Sequence, residues 1–295
     1  MNKRRLPLLA VLLVAAAAVA AGGWYVLRPH DRLAMARSLM AKGDARGAQL
    51  ELRHVVAADP ANAEAHFRLG EVQLRLGDPM AAERELTLAA DRGWNAQALA
   101  GPMAQTLLME GRFEDVLKAS TAGLNPSQQL DVELARVGAE LALKRTGDAQ
   151  HDAAEAQRLA PHSVEAALAM AQAAQAAGDA AAAGKAVDQA LAIDPHAPAA
   201  LLVRADLLAA QGDRAGALAA TDAAVAAAPN FAPARLRRAE LLMTTHDNAR
   251  ALPDLDRVLK ADPRNVAALF LRAEILAQAR DFSGADAALQ TIAPV

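Results

Sequence analysis

Apolar residues along most of this chain fall in helix-length blocks, with no stretch of the strict alternation that a strand would show. The blocks are punctuated at a fixed interval. Pro161, Pro195, Pro229 and Pro263 stand 34 residues apart, and Asp179, Asp213, Asp247 and Asp281 keep the same step. Each aspartate sits in a turn signal: Gly178-Asp179, Gly212-Asp213, His246-Asp247 and Arg280-Asp281. Every unit then holds two helices, one before the turn and one after it. The pattern predicts an all-α chain that grows by stacking, so its 295 residues count repeats rather than domains.

The earlier part follows the same plan less strictly. Repeat one pairs helices over Asp31–Lys42 and Ala45–Ala58, with the turn at Gly43-Asp44 and the stop at Asp59-Pro60. Repeat two pairs Ala63–Leu76 with Pro79–Ala90 across Gly77-Asp78, and Pro79 suits a first helical turn, where a missing N–H costs nothing. Repeat three runs from Gln97 through Gly111-Arg112 to about Gly123, where Leu124-Asn125-Pro126 is expected to break the helix. Gly101-Pro102 predicts that its first helix starts late or bends. Repeat four, about Leu130–Ala160, is expected to turn at Gly147-Asp148, which would leave its second helix three residues shorter than the later ones. Repeat eight starts near Val266, and Ala293-Pro294 interrupts its second helix. Leu289 and Ile292 would then be poorly covered, so the array is expected to be uncapped and part of a longer one.

The 34-residue, two-helix unit resembles the tetratricopeptide repeat family. In repeat two Ala65, Leu69, Gly70, Gly77, Asp78, Ala82, Leu86 and Ala89 fall where that family keeps its small and large packing residues. Later repeats keep the small positions, as Ala171/Ala183/Ala190, Ala205/Ala217/Ala224 and Ala239/Ala251. The resemblance implies a right-handed α-solenoid of about eight helix pairs over residues 29–295. A narrower likeness lies in Ala36-Arg37-Ser38-Leu39-Met40-Ala41-Lys42-Gly43-Asp44, Ala58-Asp59-Pro60-Ala61-Asn62-Ala63-Glu64-Ala65 and Arg68-Leu69-Gly70-Glu71. These segments look like the start of long repeat proteins that accompany exosortase (PEP-CTERM) and exopolysaccharide export systems. Many of those carry a lipobox cysteine, and this chain has no cysteine at all.

Residues 1–28 differ from everything after them. Lys3, Arg4 and Arg5 precede a stretch from Leu6 to Leu27 with no charged residue, whose 22 positions would span roughly 33 Å as a helix. It reads either as a cleavable signal peptide cut near Ala18–Gly22 or as an uncleaved transmembrane anchor with Trp24 and Tyr25 at the far interface. The anchor is the favoured reading. It places residues 6–27 in a bacterial inner membrane as a single pass, with the array in the periplasm.

Composition narrows the chemistry. The 54% hydrophobic fraction is carried mostly by alanine, the best helix former, and aromatics are only 3%. A net charge of −3 gives no electrostatic reason to expect nucleic acid. With no cysteine, disulfides, thiolate metal sites and cysteine nucleophiles are excluded. The seven histidines are scattered and make no helical zinc pattern, no phosphate-loop motif appears, and the few serines form no nucleophile elbow. No catalytic, cofactor or metal residue is expected.

The one recurring polar pattern lies on the first helices of late repeats: Arg204-Ala205-Asp206, Arg238-Ala239-Glu240 and Arg272-Ala273-Glu274. Residues two apart on a helix do not face each other, so each arginine and its acid look to different neighbours, most easily in adjacent repeats. The family resemblance implies that first helices line a concave groove. Glu71, Gln105, Gln172, Asp206, Glu240 and Glu274 would then form its polar floor, flanked by Phe67, Leu202, Leu236 and Phe270. The positions of the carboxylate clamp that some family members close on chaperone tails hold Leu33, Arg37, Arg68, Ala98 and Pro102 here, of which only the arginines suit an anion. Arg37, Arg68 and Arg75 are left as candidate contacts for an acidic peptide. The expected function is a non-catalytic scaffold for other proteins, with polysaccharide-export components among the expected partners. The alternative is a soluble periplasmic factor for haem-protein or outer-membrane biogenesis, released after leader cleavage.

Overall fold

The computed structural model describes residues 29–292. Among them are sixteen helices and no strand, in two compact units, the first ending at Ala135 and the second beginning at Arg136. The first unit pairs α1 (Pro29–Ala41) with α2 (Ala45–Ala58) and α3 (Ala63–Arg75) with α4 (Pro79–Asp91). It continues with α5 (Ala96–Met109), the short α6 (Phe113–Leu117) and the opening turns of α7 (Pro126–Ala142). The second unit takes the rest of α7 with α8 (Thr146–Leu159), then α9 (Val164–Ala176) with α10 (Ala180–Ile193). The pairs α11 (Pro198–Ala210) with α12 (Arg214–Ala227), α13 (Ala232–Thr244) with α14 (Asn248–Ala261), and α15 (Val266–Gln278) with α16 (Phe282–Gln290) complete it. Within each unit the pairs stack as in a solenoid.

The aspartates of the turn signal are helix caps. Asp44, Asp78, Asp179, Asp213 and Asp281 each accept a hydrogen bond from the backbone N–H three residues on, at 2.8–3.0 Å, which satisfies a donor that the first turn leaves open. The residue before each cap is left-handed: Gly43, Gly77, Gly178 and Gly212 at φ 77–83°, Arg280 at 61°. Glycine adopts this shape without a Cβ penalty.

The expectations for repeats three and four are corrected. Repeat four turns at Lys144 (φ 60°), not at Gly147-Asp148, so α8 begins at Thr146 and its fourteen residues match α10. The left-handed position is therefore conserved in register from Gly111 to Lys144 with one residue dropped, and no shortened helix results. In repeat three, by contrast, the second helix stops at Leu117 instead of reaching Gly123. Pro126 then opens a helix rather than breaking one. Asn125 and Gln128 bond reciprocally to each other's backbone N–H, at 3.0 and 3.1 Å, in a capping box that fixes the start of α7. The first helix of repeat three does not start late; α5 begins at Ala96 and runs on through Pro102.

The core is built on recurring small residues. Ala48, Ala82, Ala149, Ala183, Ala217 and Ala251 are wholly buried at equivalent points of the second helices, and Ala36, Ala171, Ala205 and Ala239 at those of the first. At Gly70 a Cβ would stand 2.7 Å from the Leu86 side chain, so α3 and α4 need the missing methyl to meet at all. Alanine-lined seams let helices approach closely, and this is why so few aromatics suffice.

The inner-membrane placement is withdrawn. Among the described residues no helix is long and apolar enough to cross a membrane. The apolar segment 6–27 and the leader reading both lie outside the described residues. At the other end Phe282 and Leu289 are exposed on α16, whereas Ile292, expected to be poorly covered together with Leu289, is half-buried.

Candidate functional site

First helices of successive pairs in the N-terminal unit line an open cavity of about 400 Å3. Its wall is apolar at Leu74, Pro102, Leu108 and Leu134, and polar at Glu71, Arg75, Gln105 and Asp131. A second hollow of about 270 Å3, lined by Arg37, Met40, Ala41 and Arg68, shares Glu71 and Arg75 with the first. The two form one groove along α1, α3, α5 and the start of α7. Gly101 sets its width: a Cβ there would lie 2.6 Å from that of Asp131, so the glycine lets α7 pack directly on α5.

Charges in the groove divide into paired and unpaired. Arg37 holds Glu64 through two hydrogen bonds, and Arg68 bonds Glu71 at 2.9 Å with Glu64 nearby. Among the described residues Arg75 donates only to the carbonyl oxygen of Met40, at 3.2 Å. Asp131 has no hydrogen-bond or ion-pair partner among the described residues, and partial burial pushes its carboxyl above the usual carboxylate range. Of the three arginines expected to receive an anion, two are thus already neutralised within the chain.

The predicted floor residues divide between the units. Glu71 and Gln105 line the groove just described. Phe67, expected beside them, is instead buried in the core, stacked on Trp94 at a centroid distance of 5.1 Å and packed on Leu86 and Leu99. Its position on α3 faces the second helix and not the groove. In the second unit Gln172, Glu274 and Phe270 are exposed, while Leu202 and Leu236 are half-buried, Leu236 against the core of α13 and α14. Asp206 and Glu240 are joined by a residue the sequence reading overlooked: Arg237 bonds Asp206 at 2.6 Å in the preceding repeat and Glu240 at 3.1 Å one turn on.

The repeating arginines do pair between repeats, with partners on second helices. Arg204 meets Asp188, Arg238 meets Asp222 at 2.8 Å and Arg272 meets Asp256 at 3.1 Å. Every pair is separated by sixteen residues and the acids keep the 34-residue step, a signal present in the sequence but visible only when acids are sought on the second helices. Arg238 also grips the buried Asp254 through two hydrogen bonds at 2.7 Å, the chief reason its guanidinium is held above its ordinary value. These contacts lock neighbouring repeats together. Among the described residues no group of three His, Asp or Glu side chains could hold a metal ion.

Comparison with known proteins agrees with this architecture. The tetratricopeptide repeat model matches residues 33–98, 168–232 and 236–294, more than half of the chain. A tetratricopeptide repeat protein from Parabacteroides merdae is similar in fold at a TM-score of 0.59 and 19% identity, over 82% of this chain and 96% of that one. Yeast Tom70 is similar at 0.60 and 19% identity, over 85% of this chain and 55% of its own. PilW, described as a widely conserved type IV pilus biogenesis factor, is similar at 0.51 and 15%, over 67% and 92%. A search of the curated proteins gave no match.

Proposed function

Since the chain belongs to the tetratricopeptide repeat family, whose members are generally non-catalytic interaction scaffolds, we propose that it holds a segment of another protein in the first-helix groove of its N-terminal unit. The observation that carries this reading is the combination of an apolar wall with charges that the chain leaves unpaired. The half-buried Leu108 and Leu134 offer area to bury, and Arg75 and Asp131 offer direction. The exposed side chains of Gln172, Glu274 and Phe270 supply a further contact surface in the second unit.

The narrower reading, partnership with polysaccharide-export components, rests on the likeness of residues 36–71 alone. It keeps a place here as a choice of partner, not of mechanism. The test is affinity capture from the native host with the wild-type chain and with Leu108→Glu, after circular dichroism has shown both folded. Loss of specific partners from the variant supports the groove. An unchanged set overturns it, and the identity of lost partners decides the export reading.

A further inference from the structure

The groove carries a more specific inference, which rests on the proposed function. We infer that its occupant is a short extended peptide segment presenting an acid and a base on either side of an apolar residue, the acid meeting Arg75 and the base meeting Asp131. The assignment comes from charge complementarity. Arg37, Arg68, Glu64 and Glu71 neutralise one another, so they add little attraction for either sign. Among the described residues, what remains is one guanidinium with a single carbonyl bond and one carboxylate with no partner, both on the wall of the same 400 Å3 cavity.

Asp131 is the more informative of the two. Asp131 keeps access to water, but the protein packed around it weakens that hydration and raises its carboxyl, a modest cost in the empty protein. A lysine or arginine from a partner removes it. Leu108 and Leu134 stand beside these charges and accept an apolar side chain. The cavity is the size of a few residues, not of a folded domain. An acidic tail, of the kind a cationic clamp would select, finds only Arg75 free and is opposed by Asp131.

The test is selection of a random decapeptide library displayed on phage against the full chain, its Asp131→Asn and Arg75→Gln variants, and Leu108→Glu as a blocked groove. Each protein is first confirmed folded by its circular dichroism and melting curve. The expected winners carry a Lys or Arg and an acid flanking an apolar residue. Synthetic copies should bind Asp131→Asn about tenfold more weakly, and copies with norleucine in place of the base should bind both proteins alike. Winners without a base, or a preference for the base that survives Asp131→Asn, overturn the inference while leaving the groove intact. Enrichment no better on the wild type than on Leu108→Glu overturns the groove reading, and the inference with it.

Discussion

Nδ1 of His66 lies 2.7 Å from Oε2 of Glu85, and its Nε2 lies 3.1 Å from the carbonyl oxygen of Pro60. Both side chains are buried. The same device returns near the other end of the array, where Arg235 bonds Asp254 and, at 2.7 Å, the carbonyl oxygen of Pro229. Arg32 and Glu51, 2.8 Å apart, hold the equivalent register in the first repeat. Each is a polar staple from a first helix to its second helix, and in two cases onward to the turn that precedes the pair. The alanine-rich middle repeats do without it: the equivalent positions there are Ala167 and Ala186, then Leu201 and Ala220.

Removing the histidine should therefore cost more than a surface change. His66→Ala leaves Glu85 buried with only Arg84 on its other oxygen. Breaking a buried polar pair from one side typically costs about 3 kcal/mol. Urea unfolding of the variant should show a loss of that order. Replacing both partners by leucine should restore most of it, and a double variant as unstable as the single one would show that packing, not polarity, sets the cost.

The arginine ladder separates strong pairs from weak ones by burial. Asp256 is largely exposed beside Arg272, so Asp256→Asn should lower stability by less than about 1 kcal/mol. Asp254 is 1% exposed and receives both Arg235 and Arg238. Asp254→Ala leaves the part-buried Arg235 with the Pro229 carbonyl oxygen and Arg238 with Asp222, and should cost about 3 kcal/mol. Equal midpoints for the two variants in urea would contradict this ranking.

These contrasts show what the sequence made legible. Turn and proline rulers placed the helix pairs of repeats one, two and five to eight, because a backbone turn and a cap demand particular residues at fixed positions. The groove was harder. Phe67 reads as a wall residue by position, but a 25° stack on Trp94 takes it into the core. Arg237 and Asp131 carry no local motif. Their roles depend on which residue of the next repeat faces them, and that is settled only by packing. Gly147-Asp148 misled for the opposite reason: it copies the turn motif, yet both residues lie within the first turn of α8.

Lys144 offers a direct test of that turn. At φ 60° its Cβ crowds the backbone where five other repeats place glycine, a shape it shares with His246 and Arg280. Lys144→Gly should relieve about 1 kcal/mol of strain, less whatever the extra freedom of the unfolded chain returns. A modest rise in melting temperature is expected. Gly178→Ala, at φ 77°, should move it down by a similar amount. A fall for Lys144→Gly would show that the lysine side chain makes a contact worth more than the strain.

Glu140 gives the second unit a pH dependence of its own. Its side chain is 6% exposed, and burial, with Asp152 and Asp148 close by, pushes the carboxyl from 4.5 up to about 7 against the opposing pull of Arg136. The folded state then binds this proton more tightly than the unfolded state, so its contribution is complete below pH 4.5 and lost as pH rises to about 7. Across that window the slope is at most roughly 1.4 kcal/mol per pH unit. Urea midpoints at pH 5, 6, 7 and 8 should fall and then level off. The decisive comparison is with Glu140→Gln, which keeps the shape and removes the proton. The wild type should lose more stability than the variant between pH 5 and 7 and run parallel to it above pH 8. Parallel curves throughout would mean that Glu140 is ionised and satisfied in the folded chain.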